Sequence, residues 1–409
     1  KLNEDFIINL SNNKGEPMWM KNFRLNSYKK FLELDNPSFG PKINIDFDNL
    51  VYHKGLFAPP SCSWKNVDKK VKNTFNDLGV IEAENKYLKG VSNQYESEVI
   101  YHKMEESDGI IFLSTDEALK KYPELFEKYF NNLVKYDENK YTALNGALWS
   151  GGSFIYIPPY TKVDRPLQSY FRIDTKNLGQ FERTIIIVDH DSSLHYIEGC
   201  TAKNYSTTSL HAGVVEIYVG KNSTCKYSTI QNWSKDVYNL VTKRAILEEG
   251  AYMQWVDGNI GSGVTMKYPS CILKGDNSKA SSISIAYAKE GQHLDAGAKM
   301  IHLGKNTKST IISKSIAGFG GTSDYRGTVK IAKDATGSFA TIKCDNIILD
   351  NISSSNTYPK NIVENNESTL EHEATISKIN EEKLNYLMSL GISEDAAKDL
   401  YVLGFMSDF

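Results

Sequence analysis

Along the first third of the chain, apolar residues recur at steps of three and four. Pro17-Met18-Trp19-Met20 leads into Phe23, Leu25, Tyr28, Phe31 and Leu32, the stripe of an amphipathic helix. A second helical pattern runs from Asp116 to about Val134 through Leu119, Tyr122, Leu125, Phe126 and Phe130, with Thr115 as its expected N-cap. Between them, Phe57-Ala58-Pro59-Pro60-Ser61 reads as a loop. From about Gly152 the texture changes to short β-rich runs, such as Ser153-Phe154-Ile155-Tyr156-Ile157 and Thr184-Ile185-Ile186-Ile187-Val188, separated by turns rich in Gly, Asn, Asp and Ser. Helical periodicity returns at residue 380. There Leu384, Leu387 and Met388 form a stripe, Gly391 reads as a stop, and Ser393 with Asp395 opens a second helix through Ala397, Leu400, Tyr401 and Leu403. The expected organisation is a mainly helical region over 1–150, a β core over 151–360 and a C-terminal segment with a helical hairpin over 361–409.

The β region repeats. Val215-Glu216-Ile217-Tyr218-Val219-Gly220-Lys221-Asn222 parallels Lys299-Met300-Ile301-His302-Leu303-Gly304-Lys305-Asn306, and Thr328 to Thr336 follows the same plan. Turns begin near 189, 220, 248, 274, 304 and 332, at steps of 31, 28, 26, 30 and 28 residues. One such unit cannot bury its apolar face alone, so a near-constant period of strands without helices predicts a stacked β-solenoid. An antiparallel sandwich also has many short strands but requires no constant period. The C-terminal hairpin reads equally as a cap over the solenoid's open end or as a docking element.

Composition narrows the function classes. With 40% hydrophobic and 24% charged residues the chain is globular, and a net charge of −3 gives no general attraction to nucleic acid. No apolar run approaches the ~20 residues of a membrane span. No signal peptide is visible, and a removed targeting segment stays open because the chain begins with Lys1. The five cysteines are Cys62, Cys200, Cys225, Cys271 and Cys344. They form no CxxC pair and no disulfide framework, which argues for a reducing compartment. The sequence has no GxxxxGK[ST] loop, no GxGxxG in a strand–helix context, no HExxH and no GxSxG, so a free-standing ATPase, dehydrogenase or hydrolase is poorly supported.

Two groups of residues can carry chemistry. Cys344 is followed 27 residues later by Glu371-His372-Glu373, and thiolate, imidazole and carboxylate are all ligands that iron accepts. In a strand, Glu371 and Glu373 would share one face and His372 the other. The bland alternative is a Cys344 that packs as a small hydrophobe. Cys200 lies 11 residues after the turn at Asp189, Gln231 lies 11 after Gly220 and Cys344 lies 12 after Ala332. Such offsets predict that the three line one track, either a plain core ladder or a route. A cysteine beside cations becomes a sulfur nucleophile, and Arg172, Lys243 and Arg244 are candidate neighbours. Cys271 and Cys225 read as core, Cys62 as an exposed loop residue, and His195, His211, His293 and His302 as solvent-facing or satisfied.

Several segments resemble the SufB side of the SufB/SufD family of iron–sulfur cluster assembly proteins. They are Gly179-Gln180-Phe181-Glu182-Arg183-Thr184, Tyr196-Ile197-Glu198-Gly199-Cys200, Gln231-Asn232-Trp233, Asn239-Leu240-Val241-Thr242-Lys243-Arg244, Met266-Lys267-Tyr268-Pro269-Ser270-Cys271, Tyr325-Arg326-Gly327 and Leu370-Glu371-His372-Glu373-Ala374. The resemblance covers nearly the whole chain in order. It implies a right-handed parallel β-helix between an N-terminal helical (α/β) region and a C-terminal helical domain. It implies pairing with SufD through the β-helices, or a homodimer without SufD, and docking of the ATPase SufC on the C-terminal helices. Sulfur is expected as persulfide from the desulfurase SufS through a SufE or SufU shuttle, with Cys200 as acceptor and Arg172, Gln231, Trp233 and Lys243 along the route. Cys344, Glu371, His372 and Glu373 are expected to hold iron and a transient [4Fe-4S] or [2Fe-2S] cluster, with reduced flavin as a further component of the complex. The chain itself is expected to be a non-enzymatic scaffold in a plastid (apicoplast) stroma or a bacterial cytoplasm. Two departures from the family pattern stand out: only Cys62 remains of an N-terminal cysteine cluster, and Asp174 occupies a route position that is often Asn. The competing expectations are a structural β-solenoid that binds a partner or carbohydrate, and a SufD-like support subunit.

Overall fold

Between residues 153 and 378 each coil of the chain lays one strand on each of two facing sheets. The first sheet runs from Leu167–Ile173 through Ser193–Ala202, Thr224–Asn232, Tyr252–Asn259, Lys279–Ala288, Lys308–Ala317 and Phe339–Ile348 to Thr369–Lys378, every neighbouring pair parallel. The second runs from Ser153–Ile157 through Arg183–Val188, Val214–Val219, Val237–Leu247, Val264–Lys267 with Ser270–Leu273, His293–His302 and Thr322–Ile331 to Ser354–Val363, again in parallel. The result is a parallel β-solenoid of about 8 turns, preceded and followed along the chain by helices. The computed structural model describes residues 1–105, 109–204 and 208–407.

The turns explain why this sequence winds. Strands of the second sheet end at Val188, Val219, Leu247, Leu273, His302 and Ile331, directly before or within a residue of the periodic turn starts. Asp191, Asn222, Asn277 and Asn306 adopt φ of 55°, 56°, 60° and 54°, and Gly250 takes the same role at 67°. Asn, Asp and Gly are the residues that tolerate this left-handed conformation.

The ladder extends into the N-terminal region. Gly90–Tyr95 pairs in parallel with Leu167–Ile173, Glu98–Met104 adds an antiparallel edge, and Ile111–Ser114 pairs antiparallel with Ser153–Ile157. The expected amphipathic stripe forms the helix Met18–Glu33, which buries Met20, Tyr28 and Phe31, while Leu32 lies on its exposed side. The helix expected over 116–134 is instead two, Thr115–Lys121 and Pro123–Tyr129. Pro123 has no N–H to continue the ladder and pushes Tyr122 out of the helical region, to φ −130° and ψ 58°. The N-cap is Ser114, whose hydroxyl accepts from Glu117 N at 3.2 Å. Thr115 bonds the Arg183 carbonyl instead.

At the other end, the hairpin Glu381–Ser389 and Glu394–Met406 packs along the flank of the solenoid on Tyr287, Ile316, Ile347 and Leu349. It leaves the final strands, Ser354–Val363 and Thr369–Lys378, largely exposed, so it is not a cap over the open end. Among the described residues no helix is long and apolar enough to cross a membrane.

One buried charge ties the helical region to the coils. Glu216 is fully buried, receives Arg183 Nη2 at 2.9 Å, and accepts backbone N–H bonds from Asn131, Asn132, Leu133 and Val134 at 2.8–3.2 Å. Removing one partner of such a pair strands the other charge in the interior. Glu216→Ala is therefore expected to lower unfolding stability by about 3–5 kcal/mol, read from urea denaturation. A loss no larger than that of an average surface substitution would show that this carboxylate does not anchor the junction.

Candidate functional site

Alternate residues of each first-sheet strand point into the solenoid, and in-register pairing aligns them in files. One file is Phe171, Cys200, Gln231, Asn259, Ala286, Ser315 and Asn346. The adjacent inward file is Ser169, Glu198, Thr229, Asp257, Ser284, Ser313 and Cys344. Every member of the second file is polar or a thiol, and all are buried. Cys200 and Gln231 thus share a file as their spacing predicts. Cys344 shares their inward face but stands in the neighbouring file. The reason is the turn before its strand: residues 332–338 separate Ile331 from Phe339, whereas residues 189–192 and 220–223 fill the corresponding earlier turns. Offsets counted from the turn start miss those three extra residues.

Around Cys200 the interior is a network of paired charges. The Cys200 thiol donates to Glu198 Oε1 at 3.5 Å. Glu198 also accepts from the Tyr227 hydroxyl and from Lys243 Nζ at 3.4 Å, and Lys243 reaches Thr229 Oγ1 at 3.4 Å. From the second sheet, Lys267 Nζ donates to Asp257 Oδ1 at 2.6 Å and to Gln231 Oε1 at 2.8 Å. His211 lies 2.5 Å from Glu182 and 2.8 Å from Asn239 Oδ1, and the Trp233 ring packs against it at 4.8 Å. Burial pushes the Cys200 thiol well up, and Glu198 and Glu182 add to the rise against Lys243 and Lys267. Burial also raises the Glu198 carboxyl, but Lys243, Tyr227 and His211 more than offset this and hold it below its usual range. His211 is lowered by burial and raised further by Glu182 and Asn239, for a net rise. The site therefore rests as a protonated thiol beside a carboxylate that is paired to an ammonium.

Of the predicted route residues, Gln231, Trp233 and Lys243 converge on the interior near Cys200, and Trp233 packs in the same cluster as that thiol. Arg172 does not face the interior. It follows the inward Phe171, so it stands on the outer face, where it bonds Asp174 Oδ1 at 2.6 Å and Thr201 Oγ1 at 3.0 Å. Asp174 is thus matched by Arg172 and also accepts from the Tyr95 hydroxyl. Arg244 likewise points outward, paired with Glu138.

At the far end, Cys344 Sγ lies 4.0 Å from His372 Nε2. The register pairs Ile342 with His372 and Cys344 with Ala374, so thiol and imidazole share the inward face. Glu371 and Glu373 pair with Thr341 and Lys343 on the opposite face and are exposed. The structure therefore brings together two of these four residues. The Asn361 amide lies 2.9 Å from His372 Nδ1, which directs Nε2 toward the sulfur. Burial pushes the Cys344 thiol up to about 12, against a hydrogen bond from Tyr325. His372 is lowered by burial, which favours the neutral, ligating form. Tetrahedral sulfur and nitrogen ligands at about 2.3 and 2.1 Å from an ion stand roughly 3.6 Å apart, so this pair fits one metal with a small adjustment.

Sequence reasoning missed Glu198, His211, Asn239, Asp257 and Lys267. The signal for the acids was present: Glu198, Thr229, Asp257, Ser284, Ser313 and Cys344 each fall five residues after the first residue of their strand. A further cluster, His293, Asp295 and Asp324, brings its ligand atoms within 4.8 Å of one another. Its oxygens are already committed, Asp295 to Arg326 and Tyr268, and Asp324 to Asn356. Cys225 and Cys271 lie in the apolar half of the interior, and Cys62 is exposed.

Residues 171–405 match the family model for the SufBD core domain of SUF system FeS cluster assembly, and residues 66–169 match the SufBD protein N-terminal region. Over its full length the chain is 52% identical to the iron–sulfur cluster assembly protein SufB of Bacillus subtilis, covering 89% of that protein. It is 53% identical, with the same coverage, to iron–sulfur cluster assembly SufBD family proteins of Staphylococcus saprophyticus and Staphylococcus aureus.

The His211–Glu182 contact makes a pH prediction. Because the folded-state pKa of His211 is raised above 6.5, its stabilising contribution is fully present below that value and is lost as pH rises through the folded value. The stability advantage of the protein over His211→Gln is expected to shrink as pH rises above about 6.5, measured from urea midpoints. An advantage that grows with pH would mean that His211 is neutral.

Proposed function

The chain belongs to the SufB/SufD family of SUF-system iron–sulfur cluster assembly proteins, and on that premise we propose that it is the scaffold on which nascent clusters are built. The observation that carries the reading is the file of buried polar side chains from Glu198, beside Cys200, to Cys344, which faces His372. Cys200 takes sulfane sulfur from the desulfurase SufS through its SufE or SufU shuttle. Its thiolate attacks the outer sulfur of the donor persulfide. An S–S bond forms at Cys200, the donor S–S bond breaks, and the donor leaves as a thiolate. Glu198 is the nearest acceptor for the thiol proton, at 3.5 Å. Hydrosulfide then takes the outer sulfur from Cys200 as the disulfanide HSS−, which frees the Cys200 thiolate. The disulfanide follows the polar half of the interior, past Gln231 and Lys243, to Cys344, whose thiolate takes up the sulfane sulfur and releases the hydrosulfide again.

Iron is a substrate here. Cys344 and His372 hold it, and the remaining ligands come from a partner, SufD or a second copy of this chain, set against the exposed final coil. That coil presents Ile352, Tyr358, Val363 and Ile376 to solvent, and Pro359 suits an edge strand that lacks one N–H. The hairpin carries exposed Tyr386, Leu390, Leu400 and Leu403 and docks SufC, which supplies the ATP hydrolysis for which this sequence has no phosphate loop. Completed clusters, [4Fe-4S] or [2Fe-2S], pass to apo-proteins. The bacterial relatives favour a bacterial cytoplasm over a plastid.

Anaerobic reconstitution of the complex tests this. Cys344→Ala and His372→Ala are each expected to reduce bound iron and acid-labile sulfide by more than about half, since each removes one of the two ligands this chain offers. Glu371→Gln with Glu373→Gln is expected to have a smaller effect, because both carboxylates face outward. Full cluster loading in Cys344→Ala would remove Cys344 from its role.

A further inference from the structure

Two buried N–H donors beside Cys200 lack a partner. Gln231 is the register neighbour of Cys200 on the adjoining strand. Its Oε1 accepts from Lys267 Nζ at 2.8 Å and from Asn239 Nδ2 at 2.5 Å. These two donors fix which way the amide points, because both require the oxygen. Asn239 is itself oriented by His211, which bonds its Oδ1 at 2.8 Å. The amide nitrogen, Gln231 Nε2, is left buried and unbonded, and so is the indole nitrogen of Trp233. Gln231 and Trp233 are each 2% exposed, and Trp233 packs in one cluster with Cys200, Phe171 and Val237. Buried donors in native proteins are nearly always satisfied, so two orphans next to one thiol call for a ligand.

The charges around the thiol say what kind. Facing Cys200 are Glu198 from its own strand, Asp257 from further along the first sheet, and Glu182, His211, Lys243 and Lys267 from the opposite sheet, with the Tyr227 hydroxyl between. Each cation already has a carboxylate: Lys243 has Glu198, Lys267 has Asp257 and His211 has Glu182. The resting thiol needs only an acceptor, which Glu198 provides. A persulfide places its terminal sulfur about 2 Å beyond Sγ, and as an anion it needs donors instead. With the full charges mutually matched, neutral N–H dipoles remain to hold it, as in an oxyanion hole. Donors whose own acceptor side is bonded to an ammonium are polarised toward stronger donation.

We infer that Gln231 Nε2–H and Trp233 Nε1–H hold the terminal sulfur of a persulfide anion on Cys200, with Lys267 and Asn239 as positioning residues that keep the Gln231 amide turned donor-first. This rests on Cys200 as the sulfur acceptor.

The test loads the full chain with inorganic polysulfide in a Cys62→Ser, Cys344→Ser background. Persulfide on Cys200 is assigned by peptide mass, and its ionisation is followed by the near-ultraviolet absorbance of the anion against pH. Trp233→Phe and Lys267→Met are expected to raise the apparent persulfide pKa by about one unit or more, a tenfold shift in ionisation. Lys267→Arg restores a cation to the Gln231 oxygen and is expected to stay near the parent value. A purely structural role would change loading or folding without moving that titration. An unmoved pKa in folded Trp233→Phe overturns the inference even where Lys267→Met fails to fold. If the parent protein takes up no sulfur at Cys200, the acceptor reading falls and this inference with it. Loading at Cys200 with unmoved titrations removes the inference alone.

Discussion

In-register parallel stacking is the constraint on which everything else in this molecule depends. Successive strands lie about 4.8 Å apart, so any residue type repeated at the same inward position becomes a continuous file. The chain uses this twice within one interior. In the half nearer the starts of the first-sheet strands and the ends of the second-sheet strands, Leu194, Tyr196, Cys225, Tyr227, Met253, Trp255, Cys271 and Leu273 stack as an apolar core. In the half nearer the ends of the first-sheet strands, Glu198, Thr229, Asp257, Ser284 and Ser313 make a polar file between two thiols. The apolar half supplies the burial that holds the coils together, and that stability lets the polar half survive inside.

Burial alone does not distinguish the cysteines. Cys225, Cys271 and Cys344 are all pushed up to about 12, and burial likewise pushes the Cys200 thiol well above its usual value. Their neighbours separate them. Cys271 accepts a hydrogen bond from the Trp255 indole, and Cys225 sits among apolar side chains. Cys200 faces a carboxylate, an ammonium one residue beyond it, and two unsatisfied donors. Cys344 faces a tyrosine hydroxyl and an imidazole beside the open last coil. Five strand steps separate the two polar thiols, about 24 Å at the spacing of a sheet. Direct exchange between them is therefore impossible, and the file between them is the connection the interior offers.

Much of this was legible in the sequence. The periodic turns gave the solenoid because each needs one residue in a left-handed conformation, and Asn or Gly recurs there. The side-chain alternation of a strand correctly separated His372 from Glu371 and Glu373. Other features were hidden for physical reasons. Pro123 divides a helix whose apolar periodicity continues straight through it. The long turn before Phe339 moves Cys344 into a different file without changing the face it points to. Lys267, His211 and Asn239 come from the opposite sheet, and their approach to Gln231 depends on how two faces meet across the interior, which no linear spacing encodes. Arg172 has the right charge near the right cysteine, but it is one residue out of phase with the inward side.

The most direct measurement is a persulfide map of all five cysteines in the intact complex after turnover with the desulfurase and a sulfur isotope label. The account predicts label at Cys200 and Cys344, with Cys225 and Cys271 unlabelled although they are buried in the same solenoid. Label spread over Cys225 and Cys271, or confined to exposed Cys62, would contradict it.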